Sequence, residues 1–336
     1  MFYRSIVRPL LFHFDPEFDH HQVMRLGRLL SPILKTILRA YPAGSAGRSV
    51  DLFGLHFKNP IGLAAGFDKN VDAVELLSFL GFGHLELGTV TAQAQNGNPR
   101  PRIFRLVQDA ALINRLGFPS EGVEVVAARL AAIQKKKHSP VIGINIGKSK
   151  AIGIDDAVSD YLTTFARVSS LVDYVAINVS SPNTPELRKL QERERLSSLL
   201  GEIQKANTGR KPLLLKIAPD LTNPELDDVL DCALSANIAG VIATNTTFSR
   251  EGIKTVINEQ GGLSGSPLHR RSVEMVSYIY SRVGDKLPVI GCGGICDGEG
   301  VERMLDSGAR LVQLYTALVY EGPLLVNRIL RNICPQ

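Results

Sequence analysis

The chain has few cysteines and no long apolar run, and both absences narrow its class. Its 336 residues include four cysteines, which form no Cys-x-x-Cys pair and no spacing typical of metal ligands. We therefore expect no bound metal and no disulfide framework, and a reducing compartment fits this usage best. No apolar stretch reaches the roughly 18 residues that span a bilayer, and no segment resembles a signal peptide.

The chain also lacks a strong excess of one charge. Its 38 lysines and arginines face 33 aspartates and glutamates, and the basic residues are dispersed. Nucleic-acid binding usually concentrates basic residues on one face, so we expect no nucleic-acid partner. Hydrophobic residues make up 44% of the chain, which is enough to form a large buried core.

Short apolar runs recur along the chain, and each ends in glycine, amide, lysine or hydroxyl residues. Eight such runs finish at Asp68, Thr89, Gly147, Ser180, Pro219, Thr247, Gly294 and Thr316. Parallel strands are covered on both faces and therefore read as continuous apolar runs. Eight of them with helical patterns between predict an α/β fold, a (β/α)8 TIM barrel. Its site is expected at the carboxyl ends of the strands.

Residues 1–41 differ from the rest and form a small N-terminal helical extension in our interpretation. Apolar residues recur at near-helical spacing up to Leu30, and Ser31 and Pro32 predict the start of a second short helix. The segment is also basic. These features are typical of a membrane-surface device, but a helical cap docked on the barrel explains them equally well. Residues 42–47 have the composition of a linker, so the barrel domain is assigned to residues 42–336.

Three glycine-rich or hydroxyl-bearing segments fall at neighbouring strand ends. They are residues 291–294, residues 315–317, and residues 261–265 within an insertion spanning residues 248–267. A second insertion covers residues 93–120. Barrels often bind phosphate after their last two strands, where glycine lets the backbone approach the anion. Long loops on the same face usually cover a ligand. A phosphate pocket is therefore expected, although tight turns without a ligand also explain the glycines.

Lys216 stands inside an apolar strand, where an ammonium group is costly to bury unless it has a partner. No carboxylate follows nearby until Asp220. Three interpretations remain open: a Schiff-base lysine, a cation that holds negative charge on a cofactor, or a structural ion pair. Lys69, just after the first strand, is a second cation at the same face.

Amide side chains collect at the same strand ends, and one serine stands among them. The amides are Asn114, Asn145, Asn178, Asn183 and Asn245. Asparagine offers donors and acceptors without charge, which suits a planar heterocycle bearing amide groups. Ser181 lies between a strand and a proline turn. It is a candidate base, provided that desolvation or a concerted hydride departure makes proton transfer favourable.

The ordered motifs resemble those of class 2 dihydroorotate dehydrogenases, the quinone-dependent, membrane-associated type. The resemblance runs from about residue 15 to the end. It rests on residues 62–69, 86–91, 99–106, 113–118, 144–148, 178–183, 216–220 and 243–247. One departure is Pro119, which stands where the family pattern has asparagine.

The resemblance implies a role for each matching residue. Ser181 corresponds to the catalytic base. The FMN contacts are Ala65, Gly66, Phe67, Asp68, Lys69, Thr89, Asn145, Asn178, Lys216, Thr244, Gly265, Gly294, Tyr315 and Thr316. The substrate contacts are Lys69, Asn114, Arg115, Leu116, Gly117, Phe118, Asn178, Asn183, Asn245 and Thr246. The quinone-side residues are Arg105, Tyr315 and His20, although the adjacent His21 is an alternative.

The resemblance also implies an activity. Dihydroorotate would lose a hydride from C6 to FMN N5 and a proton from C5 to Ser181, giving orotate for pyrimidine biosynthesis. Lys216 would stabilise negative charge on the reduced flavin, and residues 1–41 would admit a membrane quinone. A monomer attached peripherally to the cytoplasmic side of a bacterial inner membrane is expected. Three rivals are another FMN barrel oxidoreductase, a Schiff-base lyase and a non-catalytic membrane scaffold.

Overall fold

The computed structural model describes residues 2–30, 48–133 and 140–333, and within them a closed barrel of eight parallel strands. The strands, in chain order, are β1 (Val50–Leu52), β2 (Leu55–Phe57), β3 (Ile61–Leu63), β4 (His84–Val90), β5 (Ile103–Leu106), β6 (Ala111–Asn114), β7 (Val141–Ile146), β8 (Tyr174–Asn178), β9 (Leu213–Ile217), β10 (Gly240–Ala243), β11 (Gly262–Gly265), β12 (Val289–Cys292) and β13 (Ala309–Leu314). The barrel order is β10-β12-β13-β3-β4-β7-β8-β9, which confirms the predicted (β/α)8 fold.

Helices lie between the barrel strands and at both ends of the described chain. They are α1 (Arg8–Leu11), α2 (Pro16–Leu29), α3 (Val74–Ser78), α4 (Val123–Ala131), α5 (Ala157–Val168), α6 (Arg193–Ala206), α7 (Asn223–Ser235), α8 (His269–Val283), α9 (Gly298–Asp306), α10 (Thr316–Glu321) and α11 (Leu325–Ile333). The sequence pattern predicts Asn223 as the cap of α7 and Pro224 as its first residue, and this cap was wrong by one residue. Thr222 caps this helix, because its hydroxyl and the Glu225 carboxylate bond reciprocally to backbone N–H groups.

Side chains alternate between the outside and the inside of the barrel along each strand. In β9, Leu213, Leu215 and Ile217 pack outward against the helices, whereas Leu214 faces the interior cluster. The same period of two turns Glu86 of β4 inward between Leu85 and Leu87. The barrel interior therefore receives its polar groups from alternate positions of otherwise apolar strands.

The amino end of the barrel is closed by the antiparallel hairpin β1–β2, which lies outside the barrel as predicted. Phe57 of the hairpin is fully buried and packs with Leu214, Ile242 and Leu311 from the barrel strands. This apolar plug leaves the opposite end, where the strands finish, as the place for a site.

A small antiparallel sheet covers that carboxyl end. The two long insertions supply its strands, because β6 pairs with β5 on one side and with β11 on the other. The prediction had placed loops there. In the pairing of Ile113 with Leu263, the partners lie 150 residues apart, so neither segment alone indicates the sheet.

The N-terminal segment docks through buried ion pairs. Asp15 caps α2, accepting hydrogen bonds from the N–H groups of Glu17 and Phe18. Glu17 accepts hydrogen bonds from Arg102 at 2.9 and 2.6 Å. Asp19, two residues further along α2, accepts one from Arg105 at 2.5 Å. The second predicted helix and the predicted linker lie outside the described residues.

Candidate active site

A cavity opens at the carboxyl ends of the barrel strands, beneath the three-stranded sheet. Most of the site residues expected from the sequence line it. They are Ala65, Gly66, Lys69, Thr89, Asn114, Leu116, Gly117, Phe118, Asn178, Ser181, Asn183, Lys216, Thr244, Asn245, Thr246, Gly265, Gly294, Tyr315 and Thr316. Their position follows from the strand ends to which they are attached, while their individual roles stay predictions.

A chain of hydrogen bonds joins the amides on the cavity floor. Thr89 donates from Oγ1 to Asn145 Oδ1 at 2.6 Å, and Asn178 donates from Nδ2 to the same oxygen at 2.9 Å. Asn178 Oδ1 in turn accepts from Asn245 Nδ2 at 3.2 Å. Because each amide uses one end for its neighbour, the network determines which end of Asn178 and Asn245 stays available to a ligand.

Ser181 lies at the side of this cavity, 5% exposed, in the loop after β8. Its Oγ accepts a hydrogen bond from the Asn183 N–H at 3.3 Å. The Asn183 side chain donates to Asn114 Oδ1 at 3.1 Å, which joins this loop to the covering sheet. The hydroxyl is thus shielded from water among neutral amides. Among the described residues no histidine forms a hydrogen bond with this hydroxyl, unlike the arrangement of an acyl-enzyme hydrolase.

One guanidinium holds the Ser181 loop in place. Arg188 donates to the carbonyls of Ser180 at 3.1 Å and Thr246 at 2.9 Å, and to the Asp220 carboxylate at 2.8 Å. Its plane lies 4.3 Å from the ring centre of Phe248. A single side chain therefore connects the loops that follow β8, β9 and β10.

Lys216 has a carboxylate partner that the sequence did not reveal. Its Nζ lies 3.3 Å from Oε1 of Glu86, a residue 130 positions away with no exposed surface. Lys216 lines the cavity, whereas Glu86 lies behind it. A lysine paired with a carboxylate is a poor nucleophile, so this contact disfavours the Schiff-base interpretation. It combines the other two interpretations, because Lys216 forms a structural ion pair and also presents a cation to the cavity.

Two glycines at the far end of the cavity have no room for a side chain. A Cβ on Gly265 would lie 2.4 Å from the Ala110 carbonyl oxygen, and one on Gly294 would lie 2.6 Å from the His269 nitrogen. Both have positive φ, +102° and +66°. Packing of the neighbouring loops therefore requires glycine at both positions. Both glycines also line the cavity, near the amino end of α8, a helix position that favours anions.

Four residues expected at the site do not line the cavity. Phe67 faces the other side of the loop after β3, and Asn145 lies behind Thr89. The Asp68 carboxylate accepts hydrogen bonds from the N–H groups of residues 72 and 73, just before α3 begins. Arg115 bonds Glu259 at 2.5 Å and stacks on Phe104, which fastens the two insertions together.

A second cavity, of about 1270 Å³, lies between the N-terminal segment and the barrel. His20, Arg105 and Tyr315 all line it, as does His21. His20 is the histidine that packs against Phe67, with ring centroids 5.0 Å apart. Burial, with the charge of Lys69, lowers the pKa of His20 to about 3, so its ring is neutral at physiological pH.

The two cavities meet at a shared wall. Lys69 and Tyr315 contribute to both of them. Burial lowers the pKa of Lys69 to about 8, and the nearby carboxylates of Glu17 and Asp68 limit the shift. Burial also raises the pKa of Tyr315 to about 12, so its hydroxyl stays protonated and donates to the Gly66 carbonyl at 3.3 Å.

Comparison with known proteins identifies the family. The family model described as Dihydroorotate dehydrogenase matches residues 48–335. The chain belongs to the dihydroorotate dehydrogenase family. Within this family, a relative named dihydroorotate dehydrogenase (quinone) from Gloeobacter violaceus is 47% identical over 98% of this chain and 93% of its own. A relative of the same name from Christiangramia forsetii is 47% identical over 98% of each chain.

Solved structures agree with this assignment. The crystal structure of the Eimeria tenella DHODH in complex with ferulenol has a TM-score of 0.83 and 38% identity, and the match covers 94% of this chain and 90% of that one. The ligand-free form from the same organism has a TM-score of 0.84 and 37% identity, covering 94% and 93%. The resemblance seen in the sequence motifs is therefore confirmed, and members of this family are flavin-dependent.

The sequence interpretation overlooked two residues that organise the dehydrogenase site, Glu86 and Arg188. Glu86 belongs to the motif of residues 86–91, but the sequence assigned it no role. Its alternation with Leu85 and Leu87 in a buried strand was the available signal, because it turns the carboxylate into the barrel. Arg188 had no comparable local signal, since its partners come from three different loops.

Proposed function

We propose that the protein oxidises dihydroorotate to orotate in pyrimidine biosynthesis, with FMN as prosthetic group and a membrane quinone as electron acceptor. The observation that carries this proposal is the shared wall. A polar cavity containing Ser181 adjoins a largely apolar cavity, and Lys69 and Tyr315 contribute to both. Two substrates that react in turn with one flavin need such adjoining cavities.

The residues of the first cavity fit FMN. The glycine end, where Gly265 and Gly294 leave no space for a Cβ, accommodates the phosphate, with Thr316 beside it. Thr89, Asn178 and Lys216 offer uncharged and cationic partners for the ring edge. The remaining proposed contacts, including Thr244 and Ala65, form the walls. When bound, FMN supplies a two-electron acceptor for the substrate and a two-electron donor for the quinone.

The substrate is proposed to lie between the flavin and the covering sheet. Asn114, Asn183 and Asn245 offer donors and acceptors to a pyrimidine ring that bears amide groups. Thr246 adds a buried hydroxyl oxygen with no partner within the described structure, which leaves it available to the ligand. The Lys69 ammonium balances the substrate carboxylate.

Ser181 is the proposed base. Its hydroxyl is nearly excluded from water, and a free hydroxyl is a poor proton acceptor. Proton removal from C5 is therefore coupled to departure of the hydride from C6, since that departure makes the C5 proton more acidic. The neighbouring amides hold the substrate in place, and Arg188 holds the loop that carries the base.

The quinone is proposed to enter through the second cavity, between residues 2–30 and the described part of the barrel. Apolar side chains project from the described part of this segment, with exposures of 70% for Phe2, 62% for Leu10 and 59% for Phe14. They support peripheral attachment to a membrane surface. We further propose that the protein is a monomer and lies on the cytoplasmic face of the cell membrane. None of the helices in the described ranges has the length and apolar character that crossing a bilayer requires.

Anaerobic addition of dihydroorotate to the purified protein tests the proposal. The flavin absorption band should bleach, and an added quinone should restore it. Steady-state rates should give parallel double-reciprocal lines, because the two substrates react in turn. A flavin that bleaches only with another reductant points to a different FMN oxidoreductase. A colourless protein whose lysine is trapped by borohydride with a carbonyl substrate is a lyase instead.

Deletion of residues 1–41 tests the quinone path separately. Quinone reduction should be lost, while bleaching by dihydroorotate persists at unchanged flavin content. Unchanged quinone turnover in this truncated protein would refute the access route but leave the oxidation of dihydroorotate intact.

A further inference from the structure

Glu86 is a fully buried carboxylate surrounded by hydrogen-bond donors. Its Oε1 accepts from Asn145 Nδ2 at 2.9 Å and from Lys216 Nζ at 3.3 Å. Its Oε2 accepts from Gln313 Nε2 at 2.8 Å and from the Tyr174 hydroxyl at 3.2 Å. Four donors and no acceptor in these contacts match an ionised carboxylate, which can only accept.

The fold does not require this cluster. Elsewhere the barrel interior is filled by apolar side chains such as Leu214, Ile242 and Leu311. A buried ion pair is often no more stabilising than apolar residues of the same volume, because both charges lose their hydration. A reason other than packing is therefore needed for a charge in this layer.

The location of Glu86 supplies such a reason. Lys216 lines the proposed flavin cavity, and Glu86 lies directly behind it. The Glu86 carboxylate therefore partly balances the positive charge that Lys216 presents to the cavity. In a water-poor interior, charges a few ångströms apart interact strongly, so the balance affects any charge that develops on a bound ring.

Glu86 also determines how the floor amides are oriented. Since a carboxylate only accepts, the Asn145 atom facing it must be the NH2 group. Asn145 Oδ1 is then turned to Thr89 and Asn178, and Asn178 Oδ1 is turned to Asn245. The Glu86 carboxylate thus determines which end of each amide donates and which accepts, along the chain of hydrogen bonds that ends at Asn245, a proposed substrate contact.

We propose that Glu86 is a positioning residue that tunes the reduction potential of the bound flavin by balancing the charge of Lys216, and that it orients the amide floor through Asn145. This rests on the proposed function only in requiring a flavin in the cavity. Glu86 touches neither flavin nor substrate and acts through Lys216 and Asn145.

The Glu86→Gln variant tests the electrostatic part. It keeps the volume but removes the negative charge, so the Lys216 charge is no longer balanced and favours the negatively charged reduced flavin. We expect the ratio of reduced to oxidised flavin at a fixed solution potential to rise at least tenfold. For a two-electron couple this is a shift of about 30 mV toward higher potential. The measurement uses a chemical reductant and a reference dye on the bound flavin.

Tyr174→Phe is the matched control. It removes one hydrogen bond to Glu86 and leaves the charge unchanged, so the reduced-to-oxidised ratio should change much less than in Glu86→Gln. A purely structural role predicts similar shifts in the two variants. Equal shifts, or no shift in Glu86→Gln, would overturn the proposal.

Unfolding of the flavin-free proteins by denaturant gives an independent test. It remains informative even if the Glu86→Gln variant folds poorly. Breaking a buried pair leaves an uncompensated charge, whereas replacing both members does not. The double variant Glu86→Gln with Lys216→Met should therefore unfold at a higher denaturant concentration than Glu86→Gln alone. A double variant no more stable than the single one contradicts the pairing.

These measurements need no dihydroorotate. Failure of the wild-type flavin to bleach with that substrate would therefore refute the proposed function without deciding the role of Glu86.

Discussion

The ring of Phe67 packs edge-on against the ring of Tyr315, with centroids 5.6 Å apart. The same Phe67 ring packs in this way against His20, at 5.0 Å. Tyr315 is part of both cavities, and its hydroxyl bonds to the Gly66 carbonyl. A layer of aromatic side chains thus separates the two cavities and keeps them adjacent.

Replacing Ser181 by alanine should slow flavin reduction by dihydroorotate by about two or more orders of magnitude, the usual scale for a lost base. Flavin content and orotate affinity should change little, because the Ser181 hydroxyl makes only one long hydrogen bond to the described part of the chain. Stopped-flow absorbance of the flavin measures the rate.

Ser180→Ala is the neighbouring control for this variant. The Ser180 hydroxyl accepts a hydrogen bond from Asn245 at 3.0 Å, so its loss should weaken orotate binding more than it slows flavin reduction. If Ser181→Ala reduces its flavin at the wild-type rate, Ser181 is not the base.

Orotate affinity should depend on the ionisation of Lys69. The pKa of this residue is lowered by burial to about 8, so its ammonium is charged below pH 8 and loses its proton above it. An anionic ligand binds the charged form, and the dissociation constant of orotate should therefore rise above pH 8. The rise is at most tenfold per pH unit, because one proton is involved. Titration of the flavin spectrum with orotate from pH 6 to about pH 9 measures it.

Lys69→Met serves as the control for that titration. It should bind orotate more weakly at pH 7 and show no rise between pH 7 and about pH 9, since the titrating group is gone. A wild-type dissociation constant that stays flat across this range would contradict the proposed contact between Lys69 and the carboxylate.

Replacing Glu17 should weaken the packing of α2 against the barrel far more than replacing Arg100, although these two side chains form an ion pair. Glu17 and Arg102 form a buried pair with side-chain exposures of 8% and 6%, whereas Arg100 is 62% exposed. Glu17→Gln leaves Arg102 buried without its counter-charge, which costs about 3–5 kcal/mol. Arg100→Gln should cost about 0–1 kcal/mol, as for an exposed pair.

Limited proteolysis within residues 2–30 and quinone turnover measure this difference. The Glu17 variant should be cleaved faster and reduce quinone more slowly, with unchanged bleaching by dihydroorotate. Equal behaviour of the two variants would show that the buried pair does not hold the segment.

Arg188→Lys should weaken orotate binding by about tenfold or more, the scale of one or more lost charged hydrogen bonds. Lysine keeps the charge but cannot bridge Ser180, Thr246 and Asp220 at once, because it lacks the planar fork of donors. The loop after β8 would then lose its common anchor. Equilibrium titration of orotate gives the affinity.

Lys189→Gln is a suitable comparison for this effect, because the Lys189 side chain is exposed and, within the described ranges, bonds only to Glu186. It should bind orotate as the wild type does. An Arg188 variant that also binds normally would show that the loop keeps its shape without the shared guanidinium.

The barrel was predictable because its strands are buried on both faces. Strands β4, β7 and β9 have the bounds that the apolar runs predict, which are residues 84–90, 141–146 and 213–217. Strand β3 is shorter than expected and ends at Leu63, just before Gly66 takes a positive φ of +97° and turns the chain. Such a turn depends on the backbone conformation of one residue, which an apolar run does not report.

The small covering sheet and the helix cap show two different limits. The sheet pairs strands from two distant insertions, so no local pattern distinguishes it from loops. The cap of α7 was misplaced because threonine and asparagine are both good caps, and only the bonds of Thr222 with Glu225 decide between them.

Local patterns in the amino-acid sequence were enough to predict the eight-stranded barrel and the end at which its site lies. Burial on both faces and the polar residue that ends each strand are such patterns. Which inward-facing groups meet depends on how the barrel closes. Glu86 reaches Lys216 across 130 residues, and Arg188 joins three loops, because closing the barrel brings together side chains whose pairing no local pattern records.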